Sequence, residues 1–292
     1  PRRDPPSADV VRTSGVAAQQ CDRGTAEHQR LSNARFIDPL AANESASWGA
    51  FQIMAYHAPR LGYASVDEFI LYDDVQFTRR DWRNRNRIKT PQGVHWLTVP
   101  VKVKGRFLQS IRETEIDGDA WAAHHWQVLA QNYRKASCFK QMAAVFEPLF
   151  LEGRYTHLSV LNRALIEAVC GVLGIETRIS DSSSYRLIEG RSERLAELCL
   201  QAGGGEYVSG PSARCYLEDF PFAERGLRFS FFEYGRYPVY PQLWGEFVHE
   251  VSILDLLFNC GQDARRFMLR NASPATSERS QFFGRSDESD QT

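Results

Sequence analysis

Four cations occupy every second position of one short run: Arg83, Arg85, Arg87 and Lys89 alternate with Asn84, Asn86, Ile88 and Thr90. In an extended chain the side-chain period is two, so all four project from one face. Like charges arrayed in this way repel unless an anion or carboxylates face them. Arginine forks bind phosphate oxygens in pairs, which suits the diphosphate of a nucleotide sugar. The same pattern also suits a solvated edge strand, because charge on an edge blocks strand-to-strand aggregation. The residues alone leave both readings open. Just upstream, Asp73-Asp74 closes the short apolar run Glu68-Phe69-Ile70-Leu71-Tyr72. In open α/β sheets, ligands gather beyond the carboxyl ends of strands. A carboxylate there can bind an amine, act as general base or hold a metal. The plain alternative is a salt bridge to the neighbouring arginines. Asp74 is the candidate base.

Other residues carry weaker chemistry. His125 follows Trp121 by one helical turn, so the two share a face. An imidazole beside an indole can serve as a general base in acyl transfer. A histidine on a partly apolar stripe also serves as a hydrogen-bonded core residue. Ser209-Gly210 after a strand fits a nucleophile turn or a backbone anion site. It lacks the spacing of a Gly-x-Ser-x-Gly elbow, which argues against a hydrolase triad. Ser252 and Asp255 form a Ser-x-x-Asp pattern that a capping box explains without function. Tyr237, Tyr240 and Gln242 lie in a proline-punctuated stretch, where aromatic rings either stack on a ligand or pack over the core. Six cysteines (Cys21, Cys138, Cys170, Cys199, Cys215 and Cys260) include no Cys-x-x-Cys pair. They read as buried hydrophobes rather than a zinc site or disulfide framework. No metal or cofactor is assigned.

Elements that alternate between strand and helix must position these groups. Strands are expected at Glu68 to Tyr72, at Arg87 to Thr90 and His95 to Val101 around a Pro91-Gln92-Gly93 turn, and at Ile175 to Ile179. Tyr207 to Ser209 and Leu227 to Phe232 complete the set. One helix starts at a capping Asp119 and carries Trp121, His125, Val128 and Asn132. Another opens at Thr156, with Leu158, Leu161, Leu165, Val169 and Val172 at helical spacing, and ends at Gly174. A third starts at a capping Ser192 and stops at Gly203-Gly204-Gly205. A fourth runs from Ser252 to Asn259 before Gly261. The pattern predicts an α/β fold: a mixed or mostly parallel sheet, flanking helices and a helical C-terminal part. Residues 1–50 are polar and aperiodic and are expected to be disordered or outside the core. The folded domain is expected over 51–270 and a disordered tail over 271–292.

Bulk properties exclude several classes. The 292 residues carry a net charge of −1, so no global basic field is available to hold nucleic acid. No apolar run approaches the ~18–20 residues needed to span a bilayer, and no signal-peptide core is visible. A cytoplasmic protein without membrane contact is expected.

Several motifs in order then resemble one family. They are Tyr72-Asp73-Asp74-Val75-Gln76-Phe77, Asn84 to Lys89, Trp96 to Val101, Trp121 with His125 and Tyr133, Tyr207 to Gly210, Tyr237-Pro238 with Tyr240 and Gln242, and Ser252 to Gly261. Together they are similar to the WbqC-like family over nearly all of Pro59 to Leu269. The family's opening Gln-Pro-x-Tyr-x-Pro-x-x-Gly-Tyr is matched here by Pro59, Gly62 and Tyr63 alone, with Met54, Ala55 and His57 at the other positions. The resemblance implies a transferase that attaches an acyl or aminoacyl group to an amino sugar or related amine in surface-polysaccharide or secondary-metabolite biosynthesis. Within that reading the catalytic candidates are Asp74, from its place at a strand end, and His125, from imidazole chemistry alone. Gln76, Arg85, Asn86, Arg87, Lys89, Ser209, Tyr240 and Gln242 would contact a small-molecule substrate such as a nucleotide sugar. The alternative is a nonenzymatic ligand- or partner-binding protein of the same gene cluster. Convergence of Asp74, Arg85, Arg87 and His125 in one concavity would distinguish the enzyme.

Overall fold

The computed structural model describes residues 35–37, 66–79, 82–231 and 237–268. In chain order its elements are β1 (Arg35–Ile37), β2 (Glu68–Leu71), β3 (Arg85–Thr90), β4 (Gly93–Thr98), α1 (Ala120–Tyr133), α2 (Phe139–Leu151), α3 (Leu158–Leu173), β5 (Arg178–Asp181), α4 (Ser192–Gln201), β6 (Glu206–Ser209), α5 (Phe220–Ala223), β7 (Arg228–Phe231) and α6 (Ile253–Cys260). Five strands form one parallel sheet in the order β5-β2-β1-β6-β7. The order reverses direction between β1 and β6, which is the switch point of a doubly wound sheet. β3 and β4 make a separate antiparallel hairpin whose two-residue loop is Pro91-Gln92. Gly93 begins β4 at φ +107°, a conformation that Cβ-bearing residues rarely adopt. The expected α/β class, mostly parallel sheet and helical C-terminal part are present.

Strand β2 divides the interior. Its four residues are all buried, and the period of two sends alternate side chains to opposite faces. Phe69 and Leu71 pack with the hairpin, α1, α2, α3 and α6. Ile70 and the following Tyr72 pack with α4, Tyr207 of β6, Phe222 of α5 and Leu227. At its amino end, Glu68 pairs with Arg178 at 3.3 Å, and the same two residues are register partners between β2 and β5. Everything from Val75 to Glu176 is an insertion between these two adjacent strands.

Helix periodicity sets the packing of the insertion. Trp121, His125, Leu129 and Tyr133 recur every fourth residue on the buried side of α1. The half-buried Val128 and Asn132 lie beside that stripe. In α3 the buried set is Leu158, Leu161, Asn162, Leu165, Ile166, Val169, Cys170 and Leu173. Gly174 closes α3 in the left-handed conformation, as its position predicts.

Three expected caps differ. Asp119 occupies the N-cap of α1 but makes no side-chain cap bond. His157, not Thr156, is the N-cap of α3, and the Thr156 hydroxyl meets the His157 ring instead. Ser192 lies inside α4, where its hydroxyl accepts from the Glu218 amide. Sequence spacing also missed α2 and α5. Met142, Phe146 and Phe150 of α2 recur at helical intervals, but Pro148 between them reads as a breaker.

Residues 1–50 show no periodic element by sequence, yet β1 lies within them and is the central strand of the sheet. Three residues are too few for a periodicity to register. The rest of 1–50, the divergent stretch from Met54 to Tyr63, Cys21 and the tail 271–292 lie outside the described residues. Among the described residues no helix is long and apolar enough to cross a membrane.

Two stability outcomes follow. Leu165 is 1% exposed, so Leu165→Ala should cost about 2–5 kcal/mol in urea denaturation; a loss under about 0.5 kcal/mol would place it at a surface site. A chain beginning at residue 51 lacks β1 and should melt at lower temperature than one beginning at residue 31. Equal melting temperatures would show that the sheet does not need its central strand.

Candidate functional site

Asp73 follows β2 at the carboxyl edge of the parallel sheet and is 5% exposed. Among the described residues no side-chain hydrogen bond reaches its carboxyl. Burial raises its pKa to about 6, and Asp181 and Asp74 push the same way, against Arg112 and Arg83. A buried carboxylate without hydrogen bonds is costly, and such groups concentrate at functional sites.

Its neighbour Asp74 is fully engaged. Arg112 reaches Oδ1 through Nε and Oδ2 through Nη2, both at 3.1 Å. The Ser182 hydroxyl also donates to Oδ2. The same Arg112 bonds Asp181 at the end of β5 and Ser183 just beyond it. Burial works against the Arg112 charge, but the bonds to Asp74 and Asp181 overcome it and hold its pKa above the ordinary value. Asp181 is correspondingly held below the usual carboxylate range: burial opposes this, and the bonds from Arg112 and Ser183 prevail. Asp74 and Asp181 are thus clamped by one guanidinium, while Asp73 beside them is left free to exchange a proton. Arg83 is the member of the basic run that acts on Asp73. It lies in a short 3-10 turn, Trp82–Asn84, and donates to the Thr78 hydroxyl at 2.8 Å.

The other three cations part company. Arg85 and Arg87 pair across the hairpin with Thr98 and Trp96. The Arg85 guanidinium sits 4.3 Å from the Trp96 ring centroid, and Arg87 sits 5.1 Å from Trp82 and 5.6 Å from Trp96. Lys89 is buried under the Tyr237–Val251 segment. Its Nζ donates to Gln242 Oε1 at 2.8 Å and to the Glu246 carbonyl. Burial lowers its pKa, against the pull of Asp255. In β3 the cationic face is therefore divided: Lys89 is buried, whereas Arg85 and Arg87 are half-buried, and Asn86, Ile88 and Thr90 are buried on the other face. Asn86 turns inward and accepts from the Arg87 amide at 2.6 Å.

Gln242 links Lys89 to a second buried network. Asp255 accepts from the hydroxyls of Tyr133 and Tyr240, each at 2.8 Å, and from Gln242 Nε2 at 2.9 Å. Burial raises its pKa, while these donors oppose the rise. Asp255 is thus a hub rather than half of a capping box; Ser252 alone caps α6, accepting from the Leu254 amide. Tyr240, expected to face substrate, is buried and spends its hydroxyl here.

His125 points elsewhere. Its ring meets Trp121 edge-on at 5.2 Å and bonds the Thr98 backbone. Burial and the neighbouring His124 lower its pKa to about 4, against that bond. It is neutral at pH 7 and a weak base. Gln76 is exposed and donates to the Phe107 carbonyl at 2.9 Å. Ser209, fully buried at the end of β6, has no partner for its hydroxyl among the described residues. A pocket of about 480 Å³ opens between the start of α1 and the end of α2, lined by Trp121, Phe150 and Tyr155; none of the expected site residues lines it. The buried Cys170 and Cys199 thiols are pushed by burial up to about 11 and about 12, so neither is a nucleophile. Among the described residues no cluster fits a metal ion.

Most of the expected residues fall into three groups, the aspartates at the sheet edge, the Arg85–Arg87–tryptophan face and the Asp255 network, while Gln76, His125 and Ser209 join none of them. Sequence reasoning preferred Asp74 to Asp73 and missed Arg112 and Asp181. The aspartate pair itself was the visible signal. Arg112 gave none, because its partners lie 38 and 69 positions away.

The fold and these polar groups define a doubly wound α/β protein with an acidic carboxyl-edge site and a hairpin-bearing insertion. The chain belongs to the WbqC-like protein family, whose model matches residues 55–267. A second model, N-acetylmuramidase, matches residues 4–76, about a quarter of the chain and mostly outside the described residues. A Mycobacterium tuberculosis (strain ATCC 25618 / H37Rv) protein, "Uncharacterized protein Rv1507c", is 53% identical over 220 residues, covering 74% of this chain and 95% of its own. No solved structure matches the chain.

Two measurements check the electrostatics. The folded pKa of Asp73, about 6, lies above its ordinary 3.8. The folded state therefore binds more protons between these values, and stability falls as pH rises through that window. Ionised Asp73 costs roughly 3 kcal/mol above it. Asp73→Asn should therefore be more stable than wild type by about 1–3 kcal/mol at pH 8, with the gain gone at pH 4. A variant less stable at pH 8 would show Asp73 to be an ordinary structural carboxylate. Tyr133→Phe removes the donor to Asp255 and leaves the Lys89 amide without its 2.9 Å acceptor. It should cost about 1–3 kcal/mol, read by denaturant titration.

Proposed function

We propose that this protein is a transferase that places an acyl or aminoacyl group on the amine of a sugar-like acceptor, with Asp73 as general base. The observation that carries the reading is the Asp73 carboxyl: buried, without hydrogen bonds among the described residues, and at the carboxyl edge of a parallel sheet. A base of pKa about 6 is ionised at neutral pH yet basic enough to accept a proton as charge develops on an attacking nitrogen. In the reaction the amine lone pair forms a bond to the acyl carbon. The bond from that carbon to the donor's leaving group breaks, and the leaving group departs with the electron pair. The proton from nitrogen passes to Asp73. Arg112, clamped by Asp74 and Asp181, fixes the edge that holds Asp73. Asp74 is a positioning residue in this scheme. The small-molecule acceptor and a biosynthetic setting accord with the family.

The second reading is a binding protein without chemistry. It is favoured by the different neighbours of the expected residues: Arg85 and Arg87 lie on tryptophans, His125 on Trp121, and Asp74 on Arg112 and Ser182. One variant separates the two. With an activated acyl donor and an amino sugar, Asp73→Asn should lose turnover by about 10²–10⁴-fold while still binding the acceptor. Wild-type turnover should rise with pH through about 6, following Asp73. Full turnover in Asp73→Asn would remove this residue as the base. Acceptor binding with no turnover by wild type across acyl and aminoacyl donors would favour the binding protein.

A further inference from the structure

The two arginines of the hairpin differ from the ion-paired and hydrogen-bonded arginines among the described residues. Arg112 bonds two aspartates, Arg163 pairs with Glu167, and Arg225 with Glu197. Arg194 donates to the Ile188 carbonyl and the Tyr72 hydroxyl. For Arg85 and Arg87, no side-chain hydrogen bond or ion pair occurs among the described residues, and the Nε atom of each is buried without an acceptor. Two guanidinium groups two residues apart on one strand face lie about 7 Å apart at their Cα atoms. Repulsion would drive them into water unless something held them, and the indoles do. Trp82 and Trp96, 4.7 Å apart, lie against the guanidinium groups. Cation–π contact occupies the flat face of a guanidinium and leaves its N–H edges for an in-plane acceptor. Trp96 remains 37% exposed and offers an aromatic surface beside them.

We propose that Trp82, Arg85, Arg87 and Trp96 form a binding site for a nucleoside diphosphate, with its phosphates on the arginine edges and its base stacked on Trp96. Two neighbouring guanidinium groups suit two linked phosphates, each held through the terminal N–H pair. Burial lowers the pKa of Arg87 against the pull of Glu250, a cost that a bound dianion reverses. A bare surface salt-bridge role would need carboxylates at contact distance, and among the described residues none is there. The site also connects to the sheet edge. Trp82 is the first residue of the turn whose next residue, Arg83, acts on Asp73. The inference rests on the transferase reading only in making this nucleotide the carrier of the transferred group; the binding itself does not require catalysis.

Calorimetry with ADP, UDP, inorganic pyrophosphate and uridine tests it on the full chain. At least one nucleoside diphosphate should bind more tightly than pyrophosphate, and uridine should not bind. Arg87→Lys keeps the charge but removes the fork, and should weaken nucleotide binding at least tenfold. Trp96→Ala should bring the nucleotide to the affinity of pyrophosphate, and Trp96→Phe should restore part of the difference. Thermal melts confirm that each variant is folded, and the Phe variant serves if the Ala variant is not. Asp73→Asn should bind the nucleotide as wild type does. The proposal is overturned if neither nucleotide binds wild type at millimolar concentration, if Arg87→Lys binds equally well, or if uridine matches UDP. Nucleotide binding without any turnover would leave this site standing and remove the transferase reading instead.

Discussion

Both the fold and the candidate site depend on a strand of four residues that must be buried on both faces. β2 has no solvent side, so its alternating side chains build two cores, one under the insertion and one under α4 and α5. Full burial of a residue such as Phe69 or Leu71 is worth about 1.5–3 kcal/mol, and a strand sandwiched in this way cannot slip its register without exchanging every contact. Charge closes it at both ends: Glu68 with Arg178 on one side, and Asp74 and Asp181 on Arg112 on the other. Asp73 sits where the apolar run stops but the burial does not. Its perturbed state is a consequence of the strand's position, with Arg112 already committed to its neighbours.

The Asp255 network plays a comparable part on the far side of the larger core. Residues from β3, α1, the Tyr237–Val251 segment and α6 meet at one buried carboxylate. Removing such a charge from water costs several kcal/mol unless donors surround it, and two tyrosine hydroxyls and an amide do so here. The arrangement has low tolerance for substitution at any single member. Lys89 joins it through Gln242, so residues scattered from Lys89 to Asp255 belong to one bonded network.

Much of the architecture was legible in the sequence because periodicity reports burial. β2, the hairpin, β6 and the helices around Leu165 and Leu254 stand out in this way. α2 escaped because Pro148 lies inside it, where a proline ordinarily breaks the helical hydrogen-bond pattern. β1 escaped because three residues in a polar stretch carry no pattern. The candidate site was legible in part. Alternation put Arg85, Arg87 and Lys89 on one face, but not that Lys89 is covered by a segment more than 150 positions away. The pair Asp73-Asp74 was visible, yet adjacent aspartates cannot be ranked without knowing which one Arg112 takes. His125 shows the converse: its partnership with Trp121 was readable, and only burial shows that it stays neutral.

The insertion between β2 and β5 has a kinetic consequence. Phe69 and Ile179 are register neighbours in the sheet although about 110 residues separate them along the chain. Closing so long a loop carries an entropy cost that only later contacts offset, and topologies of high contact order fold slowly. During synthesis, β2 emerges and must wait for the hairpin and three helices to cover one apolar face, and longer for α4, β6 and α5 to cover the other. The clasp of Arg112 on Asp181 can form once β5 has been made, before α4, β6, α5, β7 and α6 emerge. Its completion fixes β5 as one outer strand of the sheet and sets the carboxyl edge around Asp73.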